Sequence, residues 1–208
     1  ARQRGVPISG EACPHHFTLT DAAVAGSEAF WSKDCKDLLR SWDGRAERPS
    51  WPSYDTNFKM NPPLRSHLDR EAILEGIADG TLEILGSDHA PHCDYEKEVE
   101  FDYAPFGITG LETELALALM QLYHAKRLGL SELIAKFTVA PARLLRLAKG
   151  TLSVGADADI TVFDPKLIIN DLLEAMDLQN TTEAELAALS ESLRGQINTI
   201  IMEAMANH

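Results

Sequence analysis

Hydrophobic and polar positions in the first half of the chain follow two periods, which predict strands and helices in alternation. Short apolar runs over 6–12 and 81–85 each stop at a polar cluster, as buried strands do. Between them, residues 66–79 carry apolar side chains three and four positions apart, the spacing of an amphipathic helix. Ser66 and Asp69 stand in the register of a capping box, and a glycine follows the last turn. This order of strand, helix and strand is typical of parallel sheets and barrels.

The second half of the chain is predicted to be mostly helical. A long apolar helix is expected over 110–127, and shorter helices over 131–137 and 141–147, the last opened by a proline in its first turn. Residues 149–164 change character, because two glycines mark turns and the apolar positions then alternate as in a strand. A small β unit is therefore predicted there, followed by helices from residue 166 onward.

Two stretches have patterns that leave their role open. Residues 30–54 carry three tryptophans and mixed charges, and they are interpreted as a surface loop over the strand ends. Such a loop is either a functional lid or an insertion without a part in the chemistry. An apolar stripe over 186–201 predicts a helix that packs on its own domain or on another chain.

Polar side chains that suit metal binding and proton transfer follow both predicted strands. Asp88 and His92 come after the run at 81–85, and Glu11, His15 and His16 end the first strand or follow it. Since parallel strands of a barrel end at one face, we expect these clusters to lie near each other. Carboxylates and imidazoles ligate catalytic metals and transfer protons. The alternative is that they cap turns and hydrogen-bond the backbone.

Two further segments are stiff or glycine-rich enough to present fixed groups to a ligand. Pro62 pushes Asn61 towards an extended conformation, which would aim its amide at one point. An amide carries a donor and an acceptor, so it suits a ring imide or a carboxylate. Residues 104–110 form a glycine-rich bend whose backbone amides could approach a ligand closely.

Composition narrows the class of function. The chain has 208 residues, 45% of them hydrophobic and 25% charged, with a formal net charge of −13. This acidity argues against binding to nucleic acid or to anionic membrane surfaces. Three cysteines without a Cys-x-x-Cys spacing argue for a reducing compartment, such as the cytoplasm, and against a disulfide framework. The chain begins at Ala1 rather than at methionine, and we expect it to be cut from a longer one.

Four motifs of the chain, taken in order, resemble those of dihydroorotases, in particular the long bacterial form within the amidohydrolase superfamily. Each motif alone is only moderately specific, but all four occur in the family's order and approximate spacing. The resemblance covers residues 1 to about 164. The motifs are Gly10-Glu11-Ala12-Cys13-Pro14-His15-His16, Phe58-Lys59-Met60-Asn61-Pro62-Pro63-Leu64-Arg65, Ser87-Asp88-His89-Ala90-Pro91-His92 and Ala104-Pro105-Phe106-Gly107-Ile108-Thr109-Gly110-Leu111-Glu112-Thr113.

The resemblance implies an α/β fold, namely the C-terminal part of a (β/α)₈ TIM-type barrel of the metal-dependent hydrolase type. In this interpretation residues 1–148 supply the last two strands and the helices that follow them. Residues 149–165 are the return strand of a small β domain, and residues 166–208 form a helical tail of unknown role. Because such barrels need about 250 residues, the first part of the barrel is expected to lie upstream.

The resemblance also implies a reaction and a set of site residues. Dihydroorotases interconvert N-carbamoyl-L-aspartate and L-dihydroorotate in pyrimidine synthesis and use two divalent metals, usually zinc. By motif match, Asp88 is the catalytic residue and a metal ligand, and Glu11 is a further candidate ligand. His15 and His16 belong to the first motif and are assigned structural roles.

Four other residues match positions that bind the substrate. Asn61 and His92 match positions that hold dihydroorotate, and a protonated His92 suits the substrate carboxylate. Phe106 and Gly107 match the backbone pair that contacts the pyrimidine ring.

Other interpretations stay open because the family's H-x-H motif and its remaining ligands do not occur in this chain. The chain could belong to a non-catalytic scaffold subunit that resembles dihydroorotase and binds, for example, aspartate carbamoyltransferase. It could also belong to a related cyclic amidase, such as an allantoinase or a dihydropyrimidinase. A homodimer is a further expected assembly.

Overall fold

The computed structural model describes residues 4–33 and 49–165. Its internal contacts divide the chain into two units, Ala1–Asp157 and Ala158–His208. Of the second unit only 158–165 are described, and this stretch has no helix or strand and is mostly exposed. The greater part of the predicted loop (34–48) and the predicted helical tail (166–208) lie outside the described residues.

Two short parallel strands form the sheet in the described part of the first unit. β1 spans Glu11–Ala12 and β2 spans Ile84–Leu85, with Glu11 opposite Ile84 and Ala12 opposite Leu85. The Gly86 amide extends the pairing by donating to the Ala12 carbonyl at 3.2 Å. Parallel neighbours need a crossover connection, and the intervening chain supplies it with a helix. Both strands therefore end at the same edge of the sheet, as the sequence predicted.

Helices form most of the remaining regular structure in the described ranges. None of them is long and apolar enough to cross a bilayer. Single 3₁₀ turns occur at Asp21–Ala23 and Thr56–Phe58, and a π-helical stretch, Leu119–His124, extends the fifth helix. The α-helices are α1 (Pro14–Thr18), α2 (Ser27–Lys33), α3 (His67–Ala78), α4 (Asp94–Lys97), α5 (Leu111–Ala118), α6 (Leu130–Phe137) and α7 (Val139–Leu144).

The α3 helix confirms the prediction made for residues 66–79. The Asp69 amide donates to Ser66 Oγ at 3.3 Å, and the Ser66 amide donates to Asp69 Oδ2 at 3.2 Å, so the capping box is complete. Leu74 and Ile77 are buried on the inner face. Gly80 follows with a φ of 81°, a left-handed conformation that glycine adopts without steric cost.

Two of the predicted helices differ in detail from the structure. The helix expected over 110–127 changes to π-helical geometry at Leu119, which alters the phase of its apolar stripe. Leu119 and Leu122 are buried, whereas Leu111, in the first turn of the helix, is 58% exposed. α7 begins at Val139, two residues before the proline predicted to open it. Pro141 still lies in the first turn, where backbone amides have no partner within the helix.

An aromatic core supports the segment that leads to the second motif. Ala23, Phe30, Met60 and Leu64 form its buried centre. Trp51 packs on Phe30 with ring centroids 5.4 Å apart, and its Nε1 donates to the Ala23 carbonyl at 2.8 Å. Residues 49–64 are thereby packed against α2, and this fixes the start of the Phe58–Arg65 motif.

The predicted β strand after residue 149 is not present among the described residues of that stretch. Residues 149–165 form turns and extended chain, and Ile160 and Val162 are 65% and 47% exposed. A period-two pattern becomes a strand only where a neighbouring strand pairs with its backbone. The assignment of 149–165 to a small β domain therefore stays a prediction.

Candidate active site

The ends of β1 and β2 place two polar segments at one edge of the sheet. Residues 13–16 follow β1 and begin α1, and residues 86–92 follow β2 as an irregular turn. That turn is held to a third segment by a parallel bridge between His89 and Ile108, with the Ala90 amide donating to the Ile108 carbonyl at 2.9 Å. Three separate parts of the chain therefore meet at this edge.

Asp88 lies exposed in that turn, with a left-handed backbone φ of 49°. Aspartate tolerates this region better than most residues, but the conformation still costs on the order of 1 kcal/mol. Its charge acts on the end of β1. Burial, and then the charges of Asp88 and Glu11, raise the pKa of the Cys13 thiol to about 12. Cys13 is therefore a neutral thiol at physiological pH, and the carboxylates surround it with negative charge.

His15 is buried and is uncharged at neutral pH. It is 5% exposed, and its Nε2 is buried without a hydrogen-bond partner among the described residues. Burial, and next the neighbouring His16, lower its pKa to about 4, against the opposing effect of Asp88. At neutral pH the imidazole is uncharged, so one ring nitrogen carries a free lone pair. A buried polar atom without a partner is costly unless something binds it.

His16 has a structural contact of the kind that was expected. Its Nε2 donates to the Pro62 carbonyl at 2.9 Å and so ties α1 to the Asn61–Pro62 turn. Its ring centroid lies 4.1 Å from that of His15. The potential ligand atoms of Cys13, His15 and His16 lie within 4.8 Å of one another.

Two glutamates lie near the same edge. The Glu11 carboxylate packs on Gly86, where an added Cβ would stand 3.1 Å from Glu11 Oε1. Burial, and then the charge of Glu11, raise the pKa of Glu114 on α5. Glu11 is thus one of a group of acidic side chains at the strand ends, and its role as an additional ligand stays a prediction.

His92, Phe106 and Gly107 form one compact group. His92 Nε2 donates to the Phe106 carbonyl at 2.9 Å, which places a proton on that nitrogen. Gly107 has a φ of 131°, and an added Cβ would lie 2.6 Å from the Ala90 carbonyl oxygen and 3.1 Å from His92 Nε2. Only glycine fits this close approach. Since Nε2 is engaged and His92 Nδ1 lies 3.5 Å from Glu96, a substrate carboxylate would have to displace one of these partners.

His89 does not project into the site as a free base. Its Nδ1 accepts hydrogen bonds from the Gly110 and Leu111 amides at 3.0 and 3.2 Å. It therefore caps the first turn of α5 and carries no proton on Nδ1. Because that nitrogen carries no proton, the Glu112 carboxylate, 4.0 Å away, does not accept a hydrogen bond from it.

A cavity of about 360 Å³ lies between these groups. Its wall includes His15, Ser87, His92 and Gly107, so the structure brings these residues of the first, third and fourth motifs together. Asp88, Glu11, Asn61 and Phe106 are not part of this wall. Asn61 is exposed, and its assignment to substrate binding stays a prediction.

Comparison with known proteins decides the family. The sequence profile of the amidohydrolase family matches residues 35–201. The chain belongs to the amidohydrolase family. It is 46% identical over 167 residues to the dihydroorotase of Pelotomaculum thermopropionicum, a match that covers 80% of this chain and 33% of that protein. It is also 46% identical over 165 residues to the dihydroorotase of Syntrophus aciditrophicus, covering 79% and 32%.

A solved structure shows the same fold. The dihydropyrimidinase from Brevibacillus agri superposes with a TM-score of 0.62 at 22% sequence identity, over 80% of this chain and 32% of that one. This amidohydrolase chain spans about one third of the length of the curated relatives that it matches.

The donor set of this amidohydrolase chain fits a divalent metal. His15 offers a neutral, buried nitrogen without a partner, and Asp88 offers a carboxylate whose charge acts on His15. Nitrogen and carboxylate oxygen together are ligands that zinc accepts. The sequence assigned His15 a structural role, because a histidine pair after a strand is more often structural, and the folded chain makes it a candidate ligand instead. Its burial without a hydrogen-bond partner, a property only of the folded chain, distinguishes it from His16.

Proposed function

We propose that this chain is the C-terminal part of the barrel of a dihydroorotase, a metal-dependent cyclic amidase that interconverts N-carbamoyl-L-aspartate and L-dihydroorotate. The observation that carries the proposal is the parallel pairing of β1 with β2. This pairing brings His15, Asp88 and the His92–Phe106–Gly107 group to one edge of the sheet. The identity to dihydroorotases over four fifths of the chain supports the same substrate class.

The domain organisation follows from this proposal. Residues 1–148 would supply the last two strands of a TIM-type barrel, which needs about 250 residues in all. Residues 149–165 would return to a small β domain, and 166–208 would form a helical tail. The rest of the barrel would have to supply further ligands, because a catalytic zinc typically takes three protein ligands.

His15 and Asp88 would hold the metal, and Glu11 is a candidate for an additional ligand. We infer two divalent ions and propose zinc. When bound, such ions lower the pKa of water from about 15.7 to about 7 and polarise the amide carbonyl. The lowered pKa of His15 suits this role, since ligation needs the neutral imidazole.

Asp88 would serve as general base and then as general acid. As the C–O bond to the amide carbon forms, its carboxylate accepts a proton from the attacking water. As the C–N bond of the ring breaks, the carboxyl group delivers that proton to the leaving nitrogen. An exposed carboxylate that follows a strand end can accept a proton and return it in this way, and such proton transfer contributes about 10²–10⁴ in rate.

The remaining predicted residues would bind rather than react. The backbone of Phe106 and Gly107 would contact the ring, and His92 would approach the substrate carboxylate from the cavity wall. Asn61 would supply a donor and an acceptor to the ring from the neighbouring turn. We further propose a cytoplasmic location, and either a homodimer or aspartate carbamoyltransferase as the partner.

Hydrolysis of dihydroorotate, together with metal content, tests the proposal. Both would be measured on this chain and on a version extended at its N-terminus to the length of the relatives. We expect turnover and about two divalent ions per chain only in the extended version. Preference for hydantoin or allantoin would instead indicate a related cyclic amidase. A metal-free, inactive extended protein that binds aspartate carbamoyltransferase would indicate a scaffold subunit.

A further inference from the structure

Side chains, rather than regular secondary structure, anchor the segment that carries the Phe106–Gly107 bend. This segment, residues 97–107, runs from the end of α4 through turns to the bend. It lies on residues 54–59, and the rings of Tyr54 and Phe101 contact each other with centroids 5.6 Å apart. What fixes this segment therefore decides where the bend lies.

Lys97 joins the two ends of the segment to the 3₁₀ turn at residues 56–58. Its Nζ donates to the Thr56 carbonyl at 3.1 Å and to the Pro105 carbonyl at 3.0 Å. In return, Thr56 Oγ1 donates to the Lys97 carbonyl at 2.6 Å. Lys97 also lines the cavity of about 360 Å³ that His92 and Gly107 line.

Lys59 holds the middle of the segment and the bend itself. Its Nζ donates to the Phe101 and Asp102 carbonyls at 2.7 and 2.9 Å. The same ammonium group lies 4.9 Å from the centroid of the Phe106 ring, within range of a cation–π interaction. The Lys59 carbonyl accepts the Gly107 amide at 3.1 Å.

The pair keeps two cations close together, although like charges destabilise each other. Burial, and next the charge of Lys59, lower the pKa of Lys97, while Asp55 opposes the shift. Uncharged donors could tie the segment down without this repulsion. The Lys97 ammonium group also contributes positive charge at the cavity wall, which favours a ligand that carries a carboxylate.

We propose that Lys59 and Lys97 are positioning residues that clamp the 97–107 segment and so hold the Phe106–Gly107 bend in place for an anionic cyclic substrate. The clamp acts on binding and not on bond cleavage. This inference rests on the proposed dihydroorotase function for its substrate, while the clamp itself rests on the hydrogen bonds described above.

The test compares Lys59→Met and Lys97→Met with Lys126→Met in the complete protein that carries this sequence. Methionine keeps much of the length and apolar stem of lysine and removes the ammonium group. Lys126 is exposed and follows the π-helical stretch, away from residues 54–59 and 97–107 in sequence, so it is the matched control. Hydrogen exchange is followed at the Gly107 amide and, as a reference for global stability, at amides of α3.

We expect exchange at Gly107 to rise about tenfold in both clamp variants, with α3 unchanged and with Lys126→Met like the wild type. We expect the KM for dihydroorotate to rise about tenfold, equal to about 1.4 kcal/mol, with kcat changed less than twofold. Equal increases in exchange at Gly107 and α3 would show a merely structural role and would overturn the proposal. So would an unchanged KM, or a loss confined to kcat.

The two proposals fail in different ways. If the wild-type protein does not turn over dihydroorotate, the proposed function is wrong, and exchange at Gly107 still decides whether the clamp exists. If turnover is normal and Gly107 exchanges at the wild-type rate in both variants, the clamp is wrong and the proposed function stands.

Discussion

The 97–107 segment and the ends of β1 and β2 contribute to the same candidate site, but they satisfy their polar groups in opposite ways. At the segment, the ammonium groups of Lys59 and Lys97 each donate to two backbone carbonyls of the chain. At the strand ends, His15 Nε2 and Thr18 Oγ1 are buried without a partner among the described residues. There, acidic neighbours also contribute to the raised pKa values of Cys13 and Glu114.

This difference indicates which part of the site the chain completes by itself. The side that would bind the ring is fixed by hydrogen bonds within the chain. The side that would bind the metal presents a free lone pair and several carboxylates, which a cation would stabilise. The predictions below test that division, beginning with the largest expected effect.

Asp88→Asn should lower kcat about a thousandfold in the complete protein, because general acid–base catalysis is lost. Asparagine is the informative replacement, since it also tolerates the left-handed backbone found at this position. Steady-state hydrolysis of dihydroorotate measures the effect, and Asp94→Asn on the exposed start of α4 is the control. A variant that keeps near-normal kcat would remove Asp88 from the mechanism.

His15→Ala should weaken divalent metal binding by at least about 100-fold, because even the loss of an outer-shell partner of a ligand costs about 10–100-fold. His16→Ala should instead loosen the contact with the Pro62 carbonyl and leave metal affinity nearly unchanged. Competition with a chelator, monitored by metal release, measures both variants. Equal losses in the two would show that His16 is a ligand as well, contrary to its structural role.

Gly107→Ala should raise the KM for dihydroorotate about tenfold, a change of about 1.4 kcal/mol. The new Cβ would meet the Ala90 carbonyl oxygen at 2.6 Å and displace the bend. Gly80→Ala separates this clash from backbone strain, because Gly80 also has a positive φ but no heavy atom within 4 Å of the added Cβ. If both variants shift KM equally, the close approach at Gly107 does not govern binding.

Glu71→Gln should have the smallest effect, a loss of about 1 kcal/mol in unfolding free energy at neutral pH. Burial raises the pKa of Glu71, but hydrogen bonds and charge from Arg127 and Arg70 outweigh it and hold that pKa below 4.5. A carboxylate with a lowered folded-state pKa stabilises the fold above its unfolded pKa and loses this contribution as the pH falls through the folded value.

Denaturant unfolding between pH 7 and pH 3 measures the contribution of the Glu71 carboxylate to the unfolding free energy. The difference between wild type and Glu71→Gln should shrink as the pH falls below 4.5, the ordinary pKa of the group. Glu75→Gln, on the exposed side of the same helix, is the control and should differ little from wild type. A difference that is constant with pH would show that the Arg127 contact does not depend on charge.

Local sequence signals predicted most of the elements that they encode directly. The capping box at Ser66 and Asp69 needs only a spacing of three residues, and it is present as predicted. The long helix after Gly110 was also predicted, but the exposure of Leu111 in its first turn and its change to π-helical geometry at Leu119 were not. Such a change of helical phase depends on packing against neighbours and leaves no clear mark in the apolar spacing.

The sequence predicted which residues belong to the candidate site better than it predicted the contacts that those residues make. The motifs identified Asp88, His92, Phe106 and Gly107, and the structure joins the last three through the Phe106 carbonyl and the Gly107 backbone. His15 and His16 are adjacent and of the same type, so nothing in the sequence could separate a buried nitrogen without a partner from one bonded to Pro62. The contacts of the two clamp lysines could not be predicted from the sequence either, because most of their partners are carbonyls of residues distant in the chain.

By itself, the sequence determined the kinds of element, the helix caps, the acidic charge and the four motifs, because each depends on residues near one another in the chain. Only the tertiary structure decided which of two histidines is left with a free nitrogen, which lysines hold the bend, and which motif residues line the cavity. These properties depend on burial and on backbone carbonyls brought from elsewhere, and any residue type can supply a carbonyl.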